Sequence, residues 1–182
     1  MDPTIVITLV LAGLIAVVVV LFLRRASGAL RATSQIERFQ EEAAGLGARL
    51  DVVLETTAAR VDALRRHEVD GGAVLEELDG IMASLDQELA AAAGLAAPAA
   101  LSASQQAIVA EIRHAQRALD LVRHGCALSA GPRARSRTAE SQIAIKRGYL
   151  NLLHAREALA RHVGDLAAAR DPMESSWRTS RV

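Results

Sequence analysis

Apolar positions along this chain follow two regimes. From Thr4 to Leu23 they are nearly continuous: fifteen of these twenty residues are Leu, Ile, Val or Phe, and none is charged. From Ile36 onward they recur every three or four residues among Arg, Glu, Asp and Gln. The first regime predicts a membrane-spanning helix, the second amphipathic helices packed in water.

Twenty residues at about 1.5 Å each cover roughly 30 Å, the hydrocarbon thickness of a bilayer. At about −0.3 to −0.6 kcal/mol for each Leu, Ile, Val or Phe near the membrane centre, insertion is favourable by several kcal/mol. The run Val17 to Val20 would favour a strand in water, but a lone segment in lipid must satisfy its own backbone and is therefore helical. A cleaved signal peptide would carry positive charge before the apolar run. Here Asp2 is the only side-chain charge before it, and Arg24, Arg25, Arg31 and Arg38 follow it. The positive-inside rule then places residues 1–3 outside and the body in the cytoplasm of a single-pass inner-membrane protein.

Beyond the span, four helices are expected, at about 28–68, 73–95, 102–130 and 135–170. The first has its apolar seam at Ile36, Phe39, Ala43, Leu46, Leu50, Val53, Thr57, Val61 and Leu64. This is a heptad pattern with a four-residue stutter between Thr57 and Val61. Gly45 and Gly47 weaken it by about 1 kcal/mol each relative to Ala. Gly28 is the candidate flexible point between span and body. Gly71-Gly72 breaks the chain, with Asp70 as N-cap. The second helix repeats Val74, Leu75, Leu78, Ile81, Met82, Leu85 and Leu89, and ends in an Ala-rich stretch closed by Pro98. Ser102 with Gln105 suggests a capping box for the third helix, whose seam is Ile108, Ile112, Ala115, Leu119, Val122 and Cys126. Gly131-Pro132 stops it. The fourth carries Ile145, Tyr149, Leu152, Leu159, Val163 and Leu166, interrupted by Arg156, and Asp171-Pro172 ends it. Residues 172–182 read as a disordered polar tail.

No stretch shows strand alternation. Four amphipathic helices joined by short loops predict an all-α fold: one N-terminal transmembrane helix, then an antiparallel four-helix bundle over residues 27–171 with a long coiled-coil-like first helix. The longer first and fourth helices are expected to project together as a stalk.

Composition narrows the function classes. Aromatics are 2% of the chain, which disfavours a β-sandwich, an aromatic-lined pocket and a base-stacking surface. Formal charge balances at zero, so whole-molecule attraction to nucleic acid is not indicated. Cys126 is the only cysteine, so no intrachain disulfide forms.

Candidate chemistry is sparse. Glu111 and His114 form a single Glu-x-x-His pair, whereas di-iron bundles use two such pairs; the second here, His154 to Glu157, runs in reverse order. His67, His114, His124, His154 and His162 offer no His-x-x-x-His zinc spacing. Cys126 falls on an apolar seam, where a cysteine acts as a small core residue. Arg133, Arg135 and Arg137 form a basic loop that an up-down course puts at the end away from the membrane, a candidate contact for an acidic protein or nucleic-acid partner more than for anionic lipid. The chain therefore reads as non-catalytic, with no cofactor.

The layout also carries a resemblance. An N-out anchor, a long first helix, then "VDALRRHE" (Val61 to Glu68) and "LEEL" (Leu75 to Leu78) resembles the LemA family of bacterial membrane-anchored helical proteins. That family's Asp-Leu-Ile-Pro-Asn-Leu-Val block is absent, as are its aromatic-Asn pairs. The resemblance implies an anchored bundle and no particular reaction.

Two functional expectations follow. The first is a membrane-anchored cytoplasmic scaffold or interaction module that binds the bilayer through residues 4–23 and associates with itself or another helical protein. Its contact surface would be Ile36, Phe39, Leu46, Leu50 and Val53, if the bundle leaves that seam uncovered. The second is a membrane-bound regulator or sensor that holds a small ligand or metal between helices, motivated by Arg156 inside a seam near His154 and His162.

Overall fold

The three-and-four spacing resolves into four α-helices: α1 (Pro3–Arg65), α2 (Gly71–Gly94), α3 (Ser102–Ala130) and α4 (Ala134–Ala168). A 3-10 turn at Ala99–Leu101 leads into α3, and no strand occurs among the described residues. This computed structural model describes the backbone of residues 3–130 and 134–169 and the side chains of residues 33–130 and 136–169. The expected span at 4–23 has its side chains outside that set, and the expected tail at 172–182 lies outside it altogether. Among the described residues no helix is long and apolar enough to cross a membrane.

Polar pairs fix the course of the chain. Arg49 and Arg60 of α1 meet Glu88 and Glu77 of α2, so α2 descends as α1 rises. Asp79 and Asp86 of α2 meet Arg123 and Gln116 of α3. Gln40 and Asp51 of α1 meet Leu166 and Arg156 of α4. Each helix is thus antiparallel to its neighbours in the chain, and α4 closes the ring against α1.

The expected seams form the core. Phe39, Ala43, Leu46, Leu50, Val61 and Leu64 of α1 are buried, as are Val74, Leu78 and Leu85 of α2, Ile108, Ile112, Leu119 and Val122 of α3, and Leu152, Leu159 and Leu166 of α4. Around the stutter the α1 stripe widens, burying Leu54 and Ala58 as well. A four-residue step drifts the stripe around the helix, so both sides of the seam are used there. Burying each Leu or Ile contributes about 1.5–3 kcal/mol before entropy is charged against it.

One expectation is corrected at the lower end. α4 does not accompany α1 as a stalk. The amide of Gln40, just past the first buried residue of α1, donates to the carbonyl of Leu166 at 3.0 Å, and α4 stops at Ala168. Among the described residues α1 alone continues, from Phe39 back to Pro3 without interruption at Gly28. At about 1.5 Å per residue that extension is roughly 50 Å long.

Helix ends follow local chemistry. The carboxylate of Asp70 accepts from the Gly72 amide at 2.8 Å, the expected N-cap. α1 closes by hydrogen bonds from His67 N to Leu64 O and Glu68 N to Ala63 O. This is a Schellman pattern, with His67 left-handed at φ 62° where glycine is usual. The Ser102–Gln105 capping box does not form as expected. Gln105 instead donates across to the carbonyls of Ala92, Ala93 and Leu95, satisfying the end of α2.

The four interfaces are not equally tight. A Cβ on Gly148 of α4 would lie 2.7 Å from the Ala118 carbonyl oxygen and 2.6 Å from Val122 Cγ2. A Cβ on Gly125 of α3 would lie 3.0 Å from the Ser141 carbonyl oxygen. Ser141 Oγ donates to Gly125 O at 2.7 Å. Small residues thus let the α3 and α4 backbones nearly touch. Between α1 and α2 the facing positions carry Val53, Arg60, Glu77 and Ile81, and the helices stand further apart.

Candidate functional site

The seam proposed for partner contact is already occupied within the chain. Phe39, Leu46 and Leu50 are each 1% exposed, while Ile36 and Val53 are half-buried. The heptad pattern is real, but α2, α3 and α4 are what cover it. Phe39, Leu46 and Leu50 therefore leave the list of surface candidates, while Ile36 and Val53 stay partly accessible.

The basic loop is only partly described. Arg133 lies outside the described residues, as does the side chain of Arg135. Arg137 is exposed and pairs with Glu140 at 3.3 Å.

Arg156 does not mark a polar interior. Its guanidinium reaches out to α1, with Nε 2.7 Å from Asp51 and an Nη 3.3 Å from Glu55. The stem lies along the helix edge while the head stays at the surface. His154 is exposed and His162 half-buried. Among the described residues no three His, Cys, Asp or Glu side chains are placed to hold one metal ion.

Glu111 and His114 do meet, with His114 Nδ1 3.0 Å from Glu111 Oε2. The antiparallel course also brings His154 and Glu157 of α4 to the same side. Together with Arg117 and Arg161 they line an open, polar surface cleft of about 450 Å³.

Cys126 is fully buried. Burial pushes its thiol above the usual range, and the nearby Asp70 charge adds to the effect. A thiol held protonated and covered is a poor nucleophile. The native chain is accordingly expected to react slowly with an aromatic disulfide reagent at pH 8, and stoichiometrically after denaturation. Fast reaction of the folded chain would contradict this placement.

Two surface features were not anticipated. One is a cleft of about 680 Å³ at the upper end, where the 66–70 turn meets α3 and α4; Leu64, His67, Asp70, Ser129 and Gln142 line it. The other is a mainly apolar groove of about 880 Å³ between α1 and α2. Val52, Val53, Thr56 and Ala59 of α1 face Gly80 and Ile81 of α2 across it. Val52 is 64% exposed. Two bidentate ion pairs join α1 to α2, and the second of them lines the groove. Arg49 holds Glu88 through contacts of 2.9 Å, and Arg60 holds Glu77 at 2.8 and 2.6 Å. The Arg60 guanidinium keeps the Glu77 carboxyl below the usual carboxylate range. The bridge is therefore intact at neutral pH and is lost as pH falls through that lowered value. The signal in the sequence was Val52 beside Val53, one residue off the seam, together with Gly80 inside an apolar helix.

The chain matches no protein-family model, no curated protein and no solved structure.

Proposed function

We propose that the chain is a single-pass inner-membrane protein whose cytoplasmic helical bundle is a non-catalytic scaffold or protein-interaction module. The observation that carries this reading is α1. It is one unbroken helix from Pro3 to Arg65, and its sequence passes from a twenty-residue uncharged run, through Arg24, Arg25 and Arg31, into the seam that begins at Ile36. A helix continuous between such segments ties a folded body to a bilayer at a set distance. The arginines after the run orient the N-terminus outward, and the LemA resemblance implies the same layout.

The experiment is fractionation followed by protease protection. The full chain is expected to stay in the membrane pellet after alkaline carbonate. A tag at Val182 is expected to resist protease in intact spheroplasts and to be cut once they are permeabilised. Release into the carbonate supernatant would remove the span, and cleavage in intact spheroplasts would reverse the orientation.

A further inference from the structure

We propose that the α3–α4 cleft binds one divalent transition metal ion of the zinc class, with His114, His154 and Glu157 as ligands and Glu111 as the group that orients His114. The inference is independent of the anchored reading above and concerns a cleft which that reading leaves unused.

Register brings like groups to one level. Ser141 and Ile145 of α4 flank Gly125 of α3, and Ala118 and Val122 of α3 flank Gly148 of α4. Gly125 is therefore level with about position 143, and Gly148 with about position 120. The same antiparallel register, followed down both helices, sets His114 level with His154 and Glu111 level with Glu157. In sequence α3 runs Glu-x-x-His where α4 runs His-x-x-Glu, and across antiparallel helices that inversion puts imidazole at the height of imidazole and carboxylate at the height of carboxylate. Steps of three residues keep each pair on one face of its helix. All four side chains line the one cleft of about 450 Å³.

Two imidazoles and a carboxylate are a donor set for borderline divalent ions, three protein ligands with a fourth position left to water. His114 is already oriented for this role. Its Nδ1 lies 3.0 Å from Glu111 Oε2, so the carboxylate fixes the tautomer and leaves the Nε2 lone pair for a metal. Among the described residues no three such groups converge as they stand; Glu157 turns instead to Arg161, 3.4 Å away. That pair is long, and its side chains are 73% and 63% exposed, so the carboxylate leaves it at little cost. Arg117 and Arg161 stand one turn beyond the ligands, at opposite ends of the cleft, and balance its two glutamates. Level carboxylates repel each other, which a cation between the helices relieves and an anion worsens.

The test uses the untagged full chain in mild detergent, stripped with a chelator, with zinc chloride as the probe. Titration calorimetry is expected to show one zinc ion bound per chain, with a dissociation constant in the micromolar range. Saturating zinc is expected to raise the thermal unfolding midpoint by about 5 °C, because only the folded α3–α4 pair presents the ligands together. His114→Ala and His154→Ala should each weaken binding roughly tenfold or more, and Glu111→Gln about tenfold. Both histidines are exposed, so their metal-free unfolding midpoints should match the parent's. His124→Ala, also exposed on α3, should bind zinc as the parent does. No binding up to about 1 mM zinc, binding that survives both histidine substitutions, or half an ion per chain in a metal-linked dimer overturns the site. Stabilisation by inorganic phosphate in place of zinc also overturns it, and gives the cleft to an anion.

Discussion

A Gly148→Val chain is expected to lose about 3 kcal/mol of folding stability, read as a lowered urea midpoint by circular dichroism of the full chain in mild detergent. The new Cβ would sit 2.7 Å from the Ala118 carbonyl oxygen and 3.0 Å from the Val122 amide nitrogen. Both are backbone atoms of a helix, so neither can swing aside. Relief requires α3 and α4 to separate along much of their length. Gly148→Ala is expected to fall between, because about 1 kcal/mol of improved helix propensity offsets part of the clash. Gly164→Ala should do the opposite. It has nothing within 4 Å of an added Cβ, so only the propensity gain of about 1 kcal/mol remains. If Gly148→Ala and Gly164→Ala both stabilised the chain, the close approach of α3 and α4 would be wrong.

Leu50→Glu is the second large effect, and Val52→Glu is its control. Leu50 is 1% exposed in the α1 seam. A carboxylate there has no partner and leaves a poorly filled core, at a cost of about 4 kcal/mol or more. Val52, two residues on, faces the opposite way at 64% exposure. Its substitution should change folding by no more than about 0.5 kcal/mol. The same thermal or urea measurement reads both. Comparable losses for the two variants would mean that α1 is rotated from the orientation described. A charge at Leu46 or Leu50 thus unfolds the bundle, while a charge at Val52 changes the surface alone.

Much of the architecture was legible because period and position suffice to find a helix. Seams at Phe39, Leu46, Leu119 and Leu152 reached the core as read, and Asp70 capped α2 where the Gly-Gly step suggested. What the sequence withheld was tertiary in origin. Gly148 and Gly125 look like weak points in a helical pattern, and only the register of α4 on α3 turns them into contact points. Gln105 sits where a capping box would use it, yet the end of α2 is close enough to claim its amide. The α1 heptads announced a partner without saying whether it belongs to the same chain; the other three helices provide it. The candidate groove was the least legible feature, since it arises from the width of a gap between two helices rather than from any motif.

The unequal spacing of the helices also gives the molecule an order of disassembly. α3 and α4, locked by backbone contact at Gly125 and Gly148, form the most protected unit. The α1–α2 interface, widened by the groove and closed by surface ion pairs, has the least to lose. Partial opening is therefore expected to start there and to leave the α3–α4 hairpin as the last native remnant.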